Sequence, residues 1–243
     1  MKKLLLTRTI LTTKTLIGGV MKKRFIISFL ALVAFSLGAG VAVAAITNGD
    51  FESGYADFTS GYIYTPRLSN TSYSPPGIFD VNTDPQLGHP SWASYGAHSG
   101  SNMMIVNGAD TANVNVWQSS TAVAQNTDYY FSAWVASAYP ESPAVLKFSI
   151  NGSPTSVPFT ASTTTGLWQQ FYAKWNSGSN ATAILFLVNQ NTAFSGNDFA
   201  LDDIVLGTTR PTGGTDTTVP IPPAVLLLGT GLLGLIGIRR YRK

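Results

Sequence analysis

Between residues 46 and 206 the chain never sustains a 3.6-residue apolar rhythm; short runs of alternating apolar and polar residues recur instead. The runs are Met103–Val106, Val114–Gln118, Tyr129–Ala136, Val145–Ile150, Gln169–Trp175, Ala183–Asn189 and Phe199–Leu206. Asn107-Gly108, Asn151-Gly152, Gly166 and Gly196-Asn197 separate them. A period of two places one set of side chains on each face of a strand, and evenly spaced strands with Gly and Asn turns pack as an antiparallel sandwich. Asn151-Gly152, between Leu146–Ile150 and Val157–Phe159, is a two-residue hairpin signal. The expected fold is therefore all-β.

Both ends of the chain break this pattern. Residues 1–20 are basic and threonine-rich and match no fold pattern; they read as a start placed too early or as a signal extension. Residues 21–44 carry the three parts of a secretory signal peptide: Lys22-Lys23-Arg24, an apolar core from Phe25 to about Leu37, and the small-residue site Ala42-Val43-Ala44. An exported chain would begin near Ala45, after a helical signal. At the other end, Gly207–Thr218 is rich in Gly, Thr and Pro and reads as a flexible linker. The uncharged run Ala224–Ile238 follows, and at about 1.5 Å per helical residue it spans roughly 22 Å, short of a ~30 Å hydrocarbon core. The Val219–Pro223 approach lengthens it toward a transmembrane helix, and Arg239, Arg240, Arg242 and Lys243 would keep its end cytoplasmic.

The order of these parts in 219–243, with Val219, Pro220, Pro222 and Pro223 ahead of the apolar run and Arg239 and Arg240 behind it, resembles a PEP-CTERM sorting signal of Gram-negative bacteria. The Glu of the Pro-Glu-Pro signature is absent, with Ile221 or Pro223 in its place. The resemblance implies processing by an exosortase, membrane contact before processing, delivery to the cell surface, outer membrane or extracellular matrix, and an association with exopolysaccharide and biofilm. An ordinary C-terminal membrane anchor is the other reading of the same residues.

Charge narrows the partners. Between Ala45 and Thr218 four cations, Arg67, Lys147, Lys174 and Arg210, face twelve carboxylates, a net charge of −8. Such a surface is not expected to take up nucleic acid. With no cysteine, neither disulfides nor thiolate metal sites arise. No Gly-x-Ser-x-Gly elbow, Walker loop or His-Glu-x-x-His is present, and His89 and His98 are the only imidazoles. Asp202 and Asp203 are adjacent on a strand, so simple alternation aims them at opposite faces. The expectation is a non-enzyme; the alternative, a secreted esterase- or glycosidase-like hydrolase, would need a His or a carboxylate pair facing a pocket.

The segment opens Ile46-Thr47-Asn48-Gly49-Asp50-Phe51-Glu52 and closes Phe199-Ala200-Leu201-Asp202-Asp203-Ile204-Val205-Leu206. Between them lie His98-Ser99-Gly100-Ser101, Trp117-Gln118, the Tyr129–Val135 run and Trp168 before Phe171. In this order they resemble the carbohydrate-binding modules found beside xylanases and glucanases, which are jelly rolls of the galactose-binding-domain type. The resemblance covers nearly all of Ile46–Leu206; the Pro- and Tyr-rich insertion Tyr62–Ser99, which has little strand character, has no counterpart in it. It implies a glycan or exopolysaccharide partner and a structural Ca²⁺ where first and last strands meet, with Glu52 and Asp202 or Asp203 supplying carboxylates and Gly49 or Ser101 carbonyls. The other reading leaves these acids solvated, or capping a strand.

Stacking on pyranose faces needs flat rings with a polar edge, which Tyr and Trp supply. In Tyr129–Ala136 the alternation puts Tyr129, Phe131, Ala133 and Val135 in the core, and Tyr130, Ser132 and Trp134 on the opposite face. That face is the concave, ligand-bearing one in the modules resembled. Trp92, Tyr95 and Tyr139 stand in loops that would rim it. The competing reading has Trp134 and Trp117 filling the sandwich, in a structural matrix protein with no sugar site.

Overall fold

Alternation along the strands sorts the side chains into a core and an outer face, as their spacing requires. The computed structural model describes residues 45–66 and 75–220. The strands are β1 (Ile63–Tyr64), β2 (Ile78–Asn82), β3 (Met103–Asn107), β4 (Asn115–Ala122), β5 (Asp128–Ser137) and β6 (Val145–Ile150). They continue with β7 (Ser153–Pro154), β8 (Phe159–Thr160), β9 (Gln169–Asn176), β10 (Thr182–Asn189), β11 (Asp198–Gly207) and β12 (Thr215–Asp216). One sheet has the order β1-β2-β3-β11-β5-β9-β12; the other has β4-β10-β6-β7, with β8 also on β6. The ladders are antiparallel except β1 on β2 and β12 on β9. This is an all-β, jelly-roll-like sandwich. Among the described residues no helix is long and apolar enough to cross a membrane. The signal peptide, the apolar tail from Ile221 and the terminal arginines lie outside the described residues.

The core forms where the inner faces meet. Tyr129, Phe131, Ala133 and Val135 of β5 face Leu146, Phe148 and Ile150 of β6 and Leu185 and Leu187 of β10, all buried. Four rings bridge the sheets in series: Phe131 to Phe148 at 4.2 Å, Phe148 to Phe171 at 4.6 Å and Phe171 to Phe159 at 4.8 Å between centroids. Trp117 is wholly buried among them, so the core-filling reading holds for that residue. The hairpin turn is Asn151-Gly152, with φ of 52° and 76°, the pair of positive values that a two-residue turn demands.

Two stretches differ from the expectation. The Pro-rich segment beginning at Tyr62 contributes β1, β2 and a 3₁₀ turn at Pro85–Leu87, because Ile78-Phe79-Asp80-Val81 is just long enough to pair with β3. The proposed flexible linker is no stalk through Val219. Thr217 is 3% exposed and donates its N–H and hydroxyl to the Tyr172 carbonyl, at 2.8 and 2.9 Å. Val157 N–H bonds to the Thr217 carbonyl and Val219 N–H to the Thr155 carbonyl, so this strap ties the two sheets together. The physical reason is the edge of β9: its unpaired backbone groups are satisfied by β12 rather than left to solvent.

The first and last segments meet at Gly49, whose carbonyl accepts from Ile204 N–H at 2.8 Å. A Cβ at Gly49 would stand 2.0 Å from the Ile204 carbonyl oxygen. Gly49→Ala is therefore expected to destabilise the fold by about 2 kcal/mol or more, read as a lowered urea midpoint.

Candidate functional site

The outer face of the larger sheet carries the polar and aromatic half of each central strand. In register, Tyr130 lies between Gly207 and Lys174, Ser132 between Val205 and Tyr172, and Trp134 between Asp202 and Gln170. Tyr130, Ser132, Trp134 and Gln170 form the floor of an open cleft of about 450 Å³, and Thr209, Arg210, Pro211 and Thr212 of the strap form one wall. No carboxylate lines it. Arg210 is fixed there: its Nε donates to the Tyr172 hydroxyl at 2.8 Å, and its guanidinium lies 5.6 Å from the Tyr172 ring centroid. An Nη2 contact at 3.3 Å to Asp216 offsets its charge. The tyrosine hydroxyl and ring leave guanidinium donors for vicinal oxygen acceptors in the cleft.

Trp134 is half-buried, as is His98, which covers it at 3.7 Å between centroids and 16° between planes. Asp203 Oδ2 holds His98 Nδ1 at 2.6 Å, and Trp168 packs edge-on against the imidazole. Trp134 thus gives one face to His98, and its remaining surface lines the cleft. Strand alternation reveals the pair Tyr130 and Trp134, and the same alternation on β9 sets Gln170 opposite the buried Phe171 and Ala173; it is silent on His98 and the strap, which reach the cleft only through tertiary packing.

The loop aromatics have other places. The rest of the outer face is roofed by the stretch running from β2 to β3. Trp92 is 6% exposed and forms a second small core with Met103, Ile105, Ala138 and Ala200, so it offers no flat face to a ligand. Its indole Nε1 donates to Asp198 Oδ2 at 2.9 Å. Tyr95 donates its hydroxyl to the Ala136 carbonyl at 3.1 Å, and burial pushes its phenol above the usual range. Tyr139 stands at a separate pocket with Phe194. Of the five aromatics expected around one site, only Tyr130 and Trp134 share the cleft. The loops turned inward because Met103 and Ile105 need cover.

The acidic residues near the meeting of first and last strands come together, and they hold the chain's own donors. Glu52, which is exposed, accepts from the N–H groups of Ser101 and Asn102, both at 2.7 Å, and these bonds keep its carboxyl below the usual range. Asp202 is fully buried and accepts from Ser99 N–H at 3.0 Å and Asp203 N–H at 2.7 Å. Asp203 Oδ1 accepts from the Ser99 hydroxyl at 2.8 Å. Adjacency on β11 does not separate the two aspartates: the ladder shifts register between Asp202 and Val205, Asp203 takes φ 45°, and both carboxyls reach the 98–99 segment. Calcium takes six to eight oxygens. Here the Gly49 carbonyl accepts from Ile204, the carboxylates of Glu52, Asp202 and Asp203 accept from groups of the 98–102 segment, and among the described residues no group of three or more His, Asp or Glu is arranged to hold an ion. The residues as placed do not fit a calcium cage. Nor, among the described residues, does any serine hydroxyl bond to either imidazole; that of Ser99 goes to Asp203.

No family model and no curated protein matches the sequence. Among solved structures, the CBM22-1 xylan-binding domain from Paenibacillus barcinonensis Xyn10C is similar over 72% of this chain and 100% of its own, at 14% identity and a TM-score of 0.41. TmCBM61 in complex with β-1,4-galactotriose is similar over 67% of this chain and 97% of its own, at 15% identity and a TM-score of 0.41. The EclA C-terminal domain, a sugar-binding protein, shares 18% identity over 38% of this chain at a TM-score of 0.35, and this chain spans 66% of its length.

Two outcomes check this geometry. Burial raises the carboxyl of Asp198 to about 7 and that of Asp202 to about 6. In the unfolded chain both titrate near ~3.9, so the folded state binds more protons between about pH 4 and pH 7 and stability falls as pH rises through that window. Asp198→Asn keeps an acceptor for Trp92, and its melting temperature relative to the unmodified protein is expected to rise from about pH 4.5 to pH 7.5. Calcium added after EDTA treatment is expected to leave the melting temperature unchanged; an upward shift would mean that the 98–102 segment rebuilds around the ion.

Proposed function

We propose that residues 45–220 are a non-catalytic glycan-binding module, with the internal part of a polysaccharide chain lying in the Tyr130–Trp134 cleft. The observation that carries this is the joint placement of two rings, an amide, a hydroxyl and a fixed guanidinium along one open, carboxylate-free floor. Rings stack on apolar pyranose faces, while Gln170, Ser132 and Arg210 pair with hydroxyl groups. The cleft is open, so it suits a continuing chain rather than an enclosed small molecule. The sequence features at both ends support an exported protein sorted to the surface of a Gram-negative cell by an exosortase. There, exopolysaccharide of the biofilm matrix is the nearest glycan.

A second reading, a matrix scaffold with no sugar site, is favoured by one observation: Trp92, Met103 and Ile105 fill the neighbouring part of the same outer face with apolar side chains.

Tryptophan fluorescence titrated with soluble xylan, β-glucan, galactan and the producing cell's own exopolysaccharide separates the two. The glycan reading expects a saturable change with at least one polymer, weakened roughly tenfold or more in Trp134→Ala, equivalent to about 1.4 kcal/mol. Arg210→Gln is expected to weaken it without lowering the melting temperature by more than a surface substitution does. Absence of binding to every polymer would leave the scaffold.

A further inference from the structure

A second concavity lies apart from the cleft, where β3 ends, β11 begins and the chain leaves β5. Its volume is about 230 Å³, and His89, Trp92, Tyr139, Phe194 and Asp198 line it. Asp198 is 6% exposed. One of its oxygens accepts from the Trp92 indole, and the other, which accepts no hydrogen bond from the described residues, is left to the pocket. His89 Nδ1 accepts from Ser91 N–H at 3.2 Å, so the neutral ring has its Nε2–H to donate.

The walls are held rigidly. Asn197, fully buried at φ 66°, accepts from Asn189 Nδ2 at 2.6 Å and donates to the Asn191 carbonyl at 2.9 Å. Asn191 in turn donates to the carbonyls of Ser142 and Pro143, at 2.8 and 2.9 Å. Gly196, at φ 79°, passes so close to Glu141 that a Cβ would stand 2.3 Å from its carbonyl oxygen. These bonds lock the segments 139–143 and 189–197 together. On this support the chain leaves the ring of Phe194 75% exposed. A large ring held in water by a buried amide network, beside a pocket with a buried carboxyl on its floor, has the character of a preorganised ligand platform rather than of packing.

We infer that this pocket is a second binding site, separate from the cleft, that takes a single hydroxylated ring, the terminal unit of a saccharide. Phe194 and Tyr139 offer flat surfaces to the ring, Asp198 accepts from its hydroxyls and His89 donates to them. The size supports one ring: 230 Å³ is below the range of pockets that hold larger ligands. Burial raises the Asp198 carboxyl to about 7, which suits hydroxyl groups better than a cation that would need a firm anion. The cleft would then contact the length of a chain and the pocket its end.

Saturation-transfer NMR on the whole protein, with the methyl glycosides of glucose, galactose, mannose, xylose and rhamnose, tests this. At least one glycoside is expected to show saturable transfer, reduced fivefold or more in Phe194→Ala and in Asp198→Asn and retained in Trp134→Ala. The Phe194 side chain is exposed, so its removal leaves the fold intact. The inference is overturned if no glycoside shows transfer, if transfer persists in Phe194→Ala, or if Trp134→Ala abolishes it, which would place the ring in the cleft. The cleft reading is judged separately, by polymer binding in Trp134→Ala.

Discussion

Strand β5 is hydrogen-bonded to β11 on one side and β9 on the other, and most of the molecule is arranged around that double pairing. Its inward residues supply much of the core, including the Phe131 end of the ring series that joins the sheets. Its outward residues, Tyr130, Ser132 and Trp134, supply the floor of the cleft. One register therefore serves both stability and the site. A slip of one residue would exchange the two sets, placing polar groups in the core and phenylalanine on the surface. The hydrophobic demand on Phe131 and Val135 thus holds Tyr130 and Trp134 in place without any bond made for that purpose.

The outer face is shared between two coverings, and the cleft is what they leave open. On one side the stretch from β2 to β3 folds Trp92 and Tyr95 down over Met103 and Ile105, because β3 is apolar on both faces and this one also needs shelter from water. On the other side the strap after β11 completes the edge of β9 and brings Arg210 over Tyr172. A segment composed like a linker becomes a wall because an open sheet edge is worth closing. Its backbone bonds, not its side chains, decide its course.

Carboxylates in an acidic domain have to be managed, and here they are used as struts. Glu52, Asp202 and Asp203 converge on the 98–102 segment and are satisfied by its N–H, hydroxyl and imidazole donors. Asp203 then orients His98, and His98 covers one face of Trp134. A register shift in β11 makes this convergence possible, by turning two adjacent aspartates toward one segment. The acids thus reach the cleft only at second hand, by placing the ring that shapes it.

The sequence by itself determined the all-β class and the strands β3–β6 and β9–β11, but not β1, β2 or β12. The alternation of Tyr129–Ala136 and the unchanged bounds of Val145–Ile150 are local properties, set by side chains that must choose between core and water. The Asn151-Gly152 turn was equally legible, since positive φ is a property of those residues. Tertiary structure alone decided which loop aromatics are buried, as Trp92 is, and which stand free, as Phe194 does. It also decided that both aspartates of β11 face the same way and that residues 209–212 border the cleft. Those outcomes depend on partners far away in the chain: the exposed back of β3, the open edge of β9 and the amide network at Asn197. No local pattern of charge or hydrophobicity records what another strand leaves uncovered.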